Sequence, residues 1–395
     1  MDLNFSADEN AFRFEVRRFL EEQLNGPFAG LRGRGGPGDE EELFDERLEW
    51  ERFLGASGWN CLSWSPEFGG RALSLMQEVI FFEEYARAQA PGRLGHIGEG
   101  LLGPTLIAMG SEDQRQRFLP KISSVQELWC QGYSEPGAGS DLAGVRTRAE
   151  RQGDEWVITG QKVWTSLAHR SDWCFVLARS EPGSTRHQGL SYLLVPLDQP
   201  GVEIRPIVQP TGEGDFNEVF FDGARTDARW VVGEPGDGWR VAMATLAFER
   251  GTSTLAQQLN FTNEWLQIAA AARERGMLKH QQIRHRLTQS RMELLAMRWS
   301  TLRMLSGMLE GQLSPEAYTL KLYWASWHRR LGELAMEVLG SAGDLVGEGY
   351  DLSSLQRLFL FSRADTIYAG SNQIQRSVIA ERALGLPKDP WRDRS

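Results

Sequence analysis

Ser134-Glu135-Pro136-Gly137-Ala138-Gly139-Ser140-Asp141-Leu142-Ala143-Gly144 joins two hydroxyls through a run of glycine amides. Taken alone, Pro136-Gly137 reads as a turn. Taken with Trp164-Thr165-Ser166 further along the chain, the stretch also reads as a cradle for a flat, oxidised ring of the flavin type. Such a ring needs a donor near its reactive nitrogen, a backbone that can come close and an aromatic wall, and glycine allows the close approach. A dinucleotide phosphate loop fails on spacing. Gly137 and Gly139 fill the first two places of G-x-G-x-x-G, but Leu142 takes the third, and no acidic residue follows at the right distance in a βαβ unit. The Gly-Lys-Ser/Thr of a Walker loop is absent as well.

Outward from the cradle, the chain changes texture twice. Ser6 and Glu9 form a capping-box pattern, and Phe12, Val16, Phe19 and Leu20 recur behind it at helical spacing. Residues 26–45, rich in glycine and acidic residues, carry no apolar period and read as a loop. Helical pattern resumes through Leu54, around Val79 to Ala88, and from Gly100 to Leu119. From about Glu127 short apolar runs appear: Trp156-Val157-Ile158, Asp172 to Leu177, Leu190 to Val195 and Val219 to Phe221. These are strand signals separated by Gly, Pro and Asp, and they predict a compact antiparallel β domain. In the second run Trp173, Phe175 and Leu177 face one way while Asp172, Cys174 and Val176 face the other. Gly233-Glu234-Pro235-Gly236-Asp237-Gly238 ends the β region. Beyond it the pattern is helical, with Leu331, Leu334, Ala335, Val338 and Leu339 in one stripe and a last helix between Ser371-Asn372 and Gly385.

Composition limits the function classes. With 395 residues, 41% of them hydrophobic and 24% charged, the chain can hold two or three domains around a large core. A formal charge of −10 argues against a nucleic-acid surface, which calls for a concentrated basic face. The three cysteines, Cys61, Cys130 and Cys174, lie far apart and read as reduced, packed thiols. The six histidines form no H-E-x-x-H motif and no Cys/His cluster, so no metal site is expected and each histidine reads as a surface or packing residue. The N-terminus, Met1-Asp2-Leu3-Asn4-Phe5, lacks the signature of a secretory leader, and no stretch reaches the length of a membrane span. The expectation is a cytoplasmic protein without membrane insertion.

At this point the chain resembles the acyl-CoA dehydrogenase family over nearly its whole length. The likeness rests on Pro66-Glu67-Phe68-Gly69-Gly70, Gly110-Ser111-Glu112-Asp113-Gln114, the cradle from Tyr133 to Gly144, and Gly160-Gln161-Lys162-Val163-Trp164. It rests also on residues 367–376, from Ile367-Tyr368-Ala369-Gly370 to Gln375-Arg376, with Glu381-Arg382 after them. The resemblance implies an α+β multidomain fold: an N-terminal all-helical domain (1–125), a middle antiparallel β domain (126–235) and a C-terminal four-helix bundle (236–395). It implies FAD, with Ser134 and Ser166 near the N5 and O4 edge, Trp164 against the ring, and Tyr133 and Gly139 beside them. Ser140 and nearby amides would meet the pyrophosphate or the pantetheine of the acyl thioester. A neighbouring subunit also grips the flavin in this family, which points to Arg273 (or Arg275), Glu337 and Gly340, with glutamate at 337 where glutamine is usual, while Ser371 and Gln373 are further implied cofactor contacts. Arg250 and Gly370 would contact substrate. Further implied are an electron-transfer flavoprotein-type acceptor and a homo-oligomer, dimer or tetramer.

The family's reaction removes the α-proton of an acyl thioester while the β-hydrogen leaves as hydride to flavin N5, giving the trans-2-enoyl thioester. It needs a carboxylate base. Many members carry that glutamate between the tyrosine and glycine of the C-terminal motif, but this chain has Ala369 there, and a methyl group accepts no proton. Other members carry it on the helix that opens the C-terminal region, where this chain has Glu249-Arg250. Ala242, Thr245 and Leu246 precede Glu249 on one helical face, so the carboxylate continues an apolar stripe, where desolvation lifts it toward the range of a general base. Glu249 is the expected base. Two alternatives remain open: a non-catalytic or half-site partner in a mixed oligomer, and a flavin monooxygenase of related fold. Ala247, where family members often have aspartate, leaves CoA and carrier-protein thioesters both possible.

Overall fold

The computed structural model describes residues 5–248, 252–309 and 315–387. The chain divides into two compact units, residues 1–251 and 252–395. The first opens with helices α1 (Ala7–Leu24), α2 (Phe44–Ala56), α3 (Leu75–Arg87), α4 (Gly103–Met109) and α5 (Glu112–Ser123). The predicted capping box starts α1: Glu9 N donates to Ser6 Oγ at 3.2 Å and Ser6 N to the Glu9 carboxylate at 2.7 Å. The same device starts α3 at Ser74/Gln77 and α5 at Ser111/Gln114. Phe12, Val16, Leu20 and Leu24, four residues apart along α1, are buried in one cluster with Trp50, Leu54, Ile80 and Phe81. Polar contacts fix the helices' rotation as well. Glu84 of α3 takes Arg13, Arg17 and Arg87; burial pushes this carboxyl up, but the three guanidinium groups outweigh it and bring it to about 2.

Among the described residues eight strands follow: β1 (Trp129–Gly132), β2 (Arg148–Gln152), β3 (Glu155–Ser166), β4 (Trp173–Arg179), β5 (Leu190–Pro196), β6 (Val202–Ile207), β7 (Phe216–Asp227) and β8 (Val231–Val232). They form one sheet in the order β6-β7-β3-β2-β4-β5-β8, with β1 beside β4. Pairing is antiparallel apart from β1 against β4 and a single residue pair between β2 and β4. The alternation in β4 holds: Trp173, Phe175 and Leu177 join a core with Phe118 and Leu119 of α5, while Cys174, Val176 and Ala178 join Trp156, Ile158 and Phe221 on the other face. A strand covered on both faces reads as an unbroken apolar run. All three cysteines are free and buried. Helix α6 (Gly238–Phe248) closes this unit, with Val241 and Ala242 in the same core as Phe175 and Tyr192.

The second unit holds α7 (Thr252–Glu274), α8 (Gln281–Leu309), α9 (Glu316–Leu339), α10 (Ser354–Phe361) and α11 (Asn372–Val378). The stripe Leu331, Leu334, Ala335 and Val338 of α9 packs with Ile268 of α7, Leu287 and Leu294 of α8, and Leu355 of α10. No helix among the described residues is long and apolar enough to cross a membrane.

Candidate active site

The stretch from Ser134 to Gly144 is both a turn and an open surface. Glu135 N donates to Ala138 O at 3.1 Å and Ala138 N to Glu135 O at 3.0 Å, which closes Pro136-Gly137 as a two-residue turn. A Cβ built on Gly137 or Gly139 would meet nothing within 4 Å, so the outer side of the turn is free for a ligand. Ser140 is exposed and Ser134 half-buried. The inner side is anchored by Lys162, which is 0% exposed. Its Nζ donates to Glu135 Oε1 at 2.8 Å, Tyr133 O at 3.0 Å and Leu177 O at 2.7 Å, so every ammonium proton has an acceptor. Glu135 in turn accepts from Arg146 N at 2.6 Å and Thr147 N at 2.9 Å. Burial holds the lysine below its ordinary range and Glu135 only partly offsets this. For Glu135 burial acts upward, but the Lys162 charge outweighs it and the carboxyl sits below its ordinary range. The Tyr133 ring lies in the core, edge-on to Phe175 at 5.8 Å and Tyr192 at 6.2 Å.

The aromatic wall is set by a bulge. Lys162 pairs with Val219 and Thr165 with Asn217, so Val163 and Trp164 together oppose the single residue Glu218. The extra residue turns Trp164 outward: its φ is +60° and its side chain is 58% exposed. A bulky residue in the left-handed region is strained, and such strain collects at functional sites. Val163 N donates to Ser134 O at 2.9 Å, which fixes this wall beside the cradle. Asn217 braces the bulge by donating to Thr165 O at 3.1 Å, Leu167 N donates to Asp215 O at 2.7 Å, and Ser166 is half-buried next to Trp164. Trp164→Gly is expected to change apoprotein stability by less than about 1 kcal/mol, because relief of the positive φ offsets the added chain entropy. The same change should weaken flavin binding by roughly 1–3 kcal/mol, or about 5- to 150-fold in Kd, through lost stacking. Titration of apoprotein with FAD, read by flavin fluorescence, measures this; an unchanged Kd removes Trp164 from the site.

In the second unit, Arg275 donates to Leu339 O at 3.3 Å, tying the end of α7 to residues 337–341. Arg273 is exposed and takes part in no ion pair among the described residues, which leaves it the freer of the two arginines. Glu337 is held by Arg286 of α8, and Gly340 ends α9 with φ +58°. Ala369 and Gly370 form a left-handed pair, with φ +48° and +83°. Gln375 stabilises it, its Nε2 donating to Ala369 O at 3.2 Å and Gly370 O at 3.5 Å. A Cβ on Gly370 would lie 2.6 Å from that nitrogen. Ser371 caps α11 by accepting from Ile374 N at 3.3 Å, and Gln373 is exposed. Glu249 and Arg250 lie outside the described residues.

Comparison with known proteins bears on this arrangement. The N-terminal, middle and C-terminal domain models of acyl-CoA dehydrogenase match residues 6–126, 130–224 and 236–384. Acyl-CoA dehydrogenase IpdE1 of Mycobacterium tuberculosis is 59% identical over 97% of this chain and 99% of its own length. Its namesake from Mycolicibacterium smegmatis is 58% identical over 96% and 98%. The chain belongs to the acyl-CoA dehydrogenase family. A solved structure described as the Tcur3481-Tcur3483 steroid ACAD shares 30% identity, covers 98% of this chain and 100% of that one, and superposes with a TM-score of 0.85. The ChsE4-ChsE5 complex from Mycobacterium tuberculosis, at 27% identity and the same coverage, gives 0.78.

Acyl-CoA dehydrogenases are FAD-dependent, and the residues of this chain suit that cofactor: an outward-facing tryptophan held in a strained bulge stands beside a glycine turn whose outer side is open. The sequence reading missed what lies beneath. Lys162 and Glu135 tie three chain segments under the cradle, and Asn217 braces the wall. One signal for the lysine was available: counting by twos from Trp156 and Ile158, both buried, places Lys162 on the inward face. His328, expected to be a surface or packing residue, is instead buried between two carboxylates.

Proposed function

We propose that this acyl-CoA dehydrogenase converts an acyl-CoA thioester to its trans-2-enoyl-CoA, with Glu249 taking the α-proton. The observation that carries the reading is the inward face of α6. Ala242 and Thr245 are each 0% exposed, Thr245 exchanges a hydrogen bond with Thr105 of α4 at 2.9 Å, and in the sequence Glu249 follows them at the same helical spacing, seven residues after Ala242 and four after Thr245. Ala369, at the family's other base position, offers only a methyl group. When bound, FAD supplies the acceptor for the β-hydrogen as hydride. Ser134 and Ser166 would hold the ring's polar edge, Trp164 its face, and Ser140 with Gly139 the phosphates or pantetheine. Tyr133 would serve through its backbone, since its ring is committed to the core. Arg273 and Gly340 would meet a flavin shared with a second subunit, Ser371 and Gln373 would serve as further cofactor contacts, and Arg250 and Gly370 would meet the thioester. A ring-bearing acyl group is the substrate class we favour, on the likeness to a structure described as a steroid ACAD, with an electron-transfer flavoprotein-type acceptor and a cytoplasmic setting. Anaerobic mixing of the yellow protein with a panel of acyl-CoA thioesters tests the reading. Loss of flavin colour with a ring-bearing member, and no other reductant present, is the expected result, and it also separates this reaction from that of a monooxygenase. Persistent colour with every thioester rejects it.

A second reading, a half-site partner in a mixed oligomer, is favoured by Glu337: a glutamate tied to Arg286 is a poor grip on a neighbour's flavin. The two structures above are also described by paired names. Full flavin content in the protein purified alone counts against it.

A further inference from the structure

His328 of α9 sits among charges the reaction scheme leaves unused. Its Nδ1 is 2.5 Å from Asp365 Oδ2 and its Nε2 2.8 Å from Glu264 Oε2 of α7, and the side chain is 5% exposed, against 1% for Asp365. Phe261 stacks on the imidazole at 4.3 Å, and Trp327 lies on its own helix. Burial by itself would make the ring neutral, but Glu264 and then Asp365 lift it to about 10. The other oxygen of Asp365 accepts from the Tyr368 hydroxyl at 2.5 Å. Lys321 Nζ donates to the Asp365 carbonyl and lies 5.3 Å from the Tyr368 ring centre. Both carboxylate oxygens of Asp365 are thus spoken for, and its direction is fixed from two sides.

A buried ionic group of this kind is seldom more stabilising than well-packed apolar residues of the same volume. What it does uniquely is set orientation. Tyr368 comes immediately before the left-handed Ala369-Gly370 pair, and that pair has few other ties: Gln375 holds its carbonyls, and Ala369 itself is exposed. Resting on the reading above, in which Gly370 meets the thioester, we propose that His328 is a positioning residue for the dehydrogenation. As an imidazolium it clamps Asp365, Asp365 clamps Tyr368, and Tyr368 sets the Ala369-Gly370 turn.

The test is a double-mutant cycle on the holoprotein with His328→Gln, Tyr368→Phe and the pair. Two readouts are taken: hydrogen exchange over residues 364–375, and anaerobic flavin reduction resolved into its rate constant and its half-saturating acyl-CoA concentration. Each single change is expected to speed exchange in that segment and to slow reduction by about 10- to 100-fold, the cost of a misplaced contact. The pair should be no worse than the more severe single change, because both act on one chain of contacts. Effects that multiply, or a lower melting temperature with unaltered exchange in 364–375 and an unaltered rate per bound flavin, overturn the proposal. Should His328→Gln fail to fold, Asp365→Asn with Tyr368→Phe completes the same cycle. If no acyl-CoA reduces the unmodified protein while the exchange results are as expected, the dehydrogenase reading falls and the positioning of the segment stands.

Discussion

Glu249→Gln leaves FAD bound and slows its bleaching by acyl-CoA roughly 10²–10⁴-fold, the usual worth of a general base. The amide keeps the size of the carboxylate and its capacity to accept one hydrogen bond, but it cannot take up a proton, so binding and chemistry separate. The prediction depends on the direction of α6. Val241, Ala242 and Thr245 are buried while Met243 is exposed, so the helix has one inward face, and we take Glu249 as sharing the sequence period of Ala242 and Thr245. A glutamate on such a face is costly unless it has a role. Stopped-flow absorbance of the flavin under anaerobic conditions is the measurement. Reduction as fast as in the unmodified protein, with the flavin spectrum intact, would show that the base is elsewhere. A colourless variant would instead make Glu249 part of the flavin's support.

Local rules carried the sequence reading a long way, for reasons visible in particular residues. The Ser6/Glu9 box needs only residues three apart, and it forms as read. The alternation of Trp173, Phe175 and Leu177 against Cys174 and Val176 is a property of any extended strand, and the two sets enter different cores. Ser371 caps α11 because a serine oxygen reaches the amide of Ile374 without help from distant parts of the chain. Contacts between distant segments were not legible in this way. The parallel seat of β1 beside β4 depends on how the chain crosses the sheet, not on either strand's pattern. Lys162 and Glu135 are 27 positions apart, and each alone reads as a solvated charge. The bulge at Trp164 comes from a mismatch in count against β7, which neither strand contains by itself. His328 was hidden for the same cause: its two carboxylate partners lie 37 and 64 positions away. Neighbours along the chain decided the elements, whereas strangers in sequence decided the rigidity of the site.

That division makes Lys162 the position where one substitution should do most harm to the fold. Lys162→Met keeps the length of the stem and removes the charge. Glu135 is left 7% exposed without its counter-ion, and Tyr133 O and Leu177 O lose their donor. Breaking one side of a buried pair costs about 3–5 kcal/mol. Set against a total stability of about 5–15 kcal/mol, that is a large share. For a unit of this size it corresponds to a fall on the order of 10 °C in melting temperature. Flavin retention should fall with it, since the turn at Pro136-Gly137 hangs from the same ammonium through Glu135. Adding Glu135→Gln to Lys162→Met removes the stranded charge and should recover part of the loss. Full recovery is not expected, because the amide has one acceptor oxygen to offer Arg146 N and Thr147 N, and the two carbonyls remain without their lysine. The double variant should therefore be more stable than Lys162→Met alone and less stable than the parent protein, measured by thermal melts of the apoprotein. If Lys162→Met melts within a degree or two of the parent and keeps its flavin, the ammonium is not the anchor of the cradle. If the double variant is worse than Lys162→Met, the three carbonyl and carboxylate contacts act independently, and the cost lies in the lost hydrogen bonds rather than in the stranded charge.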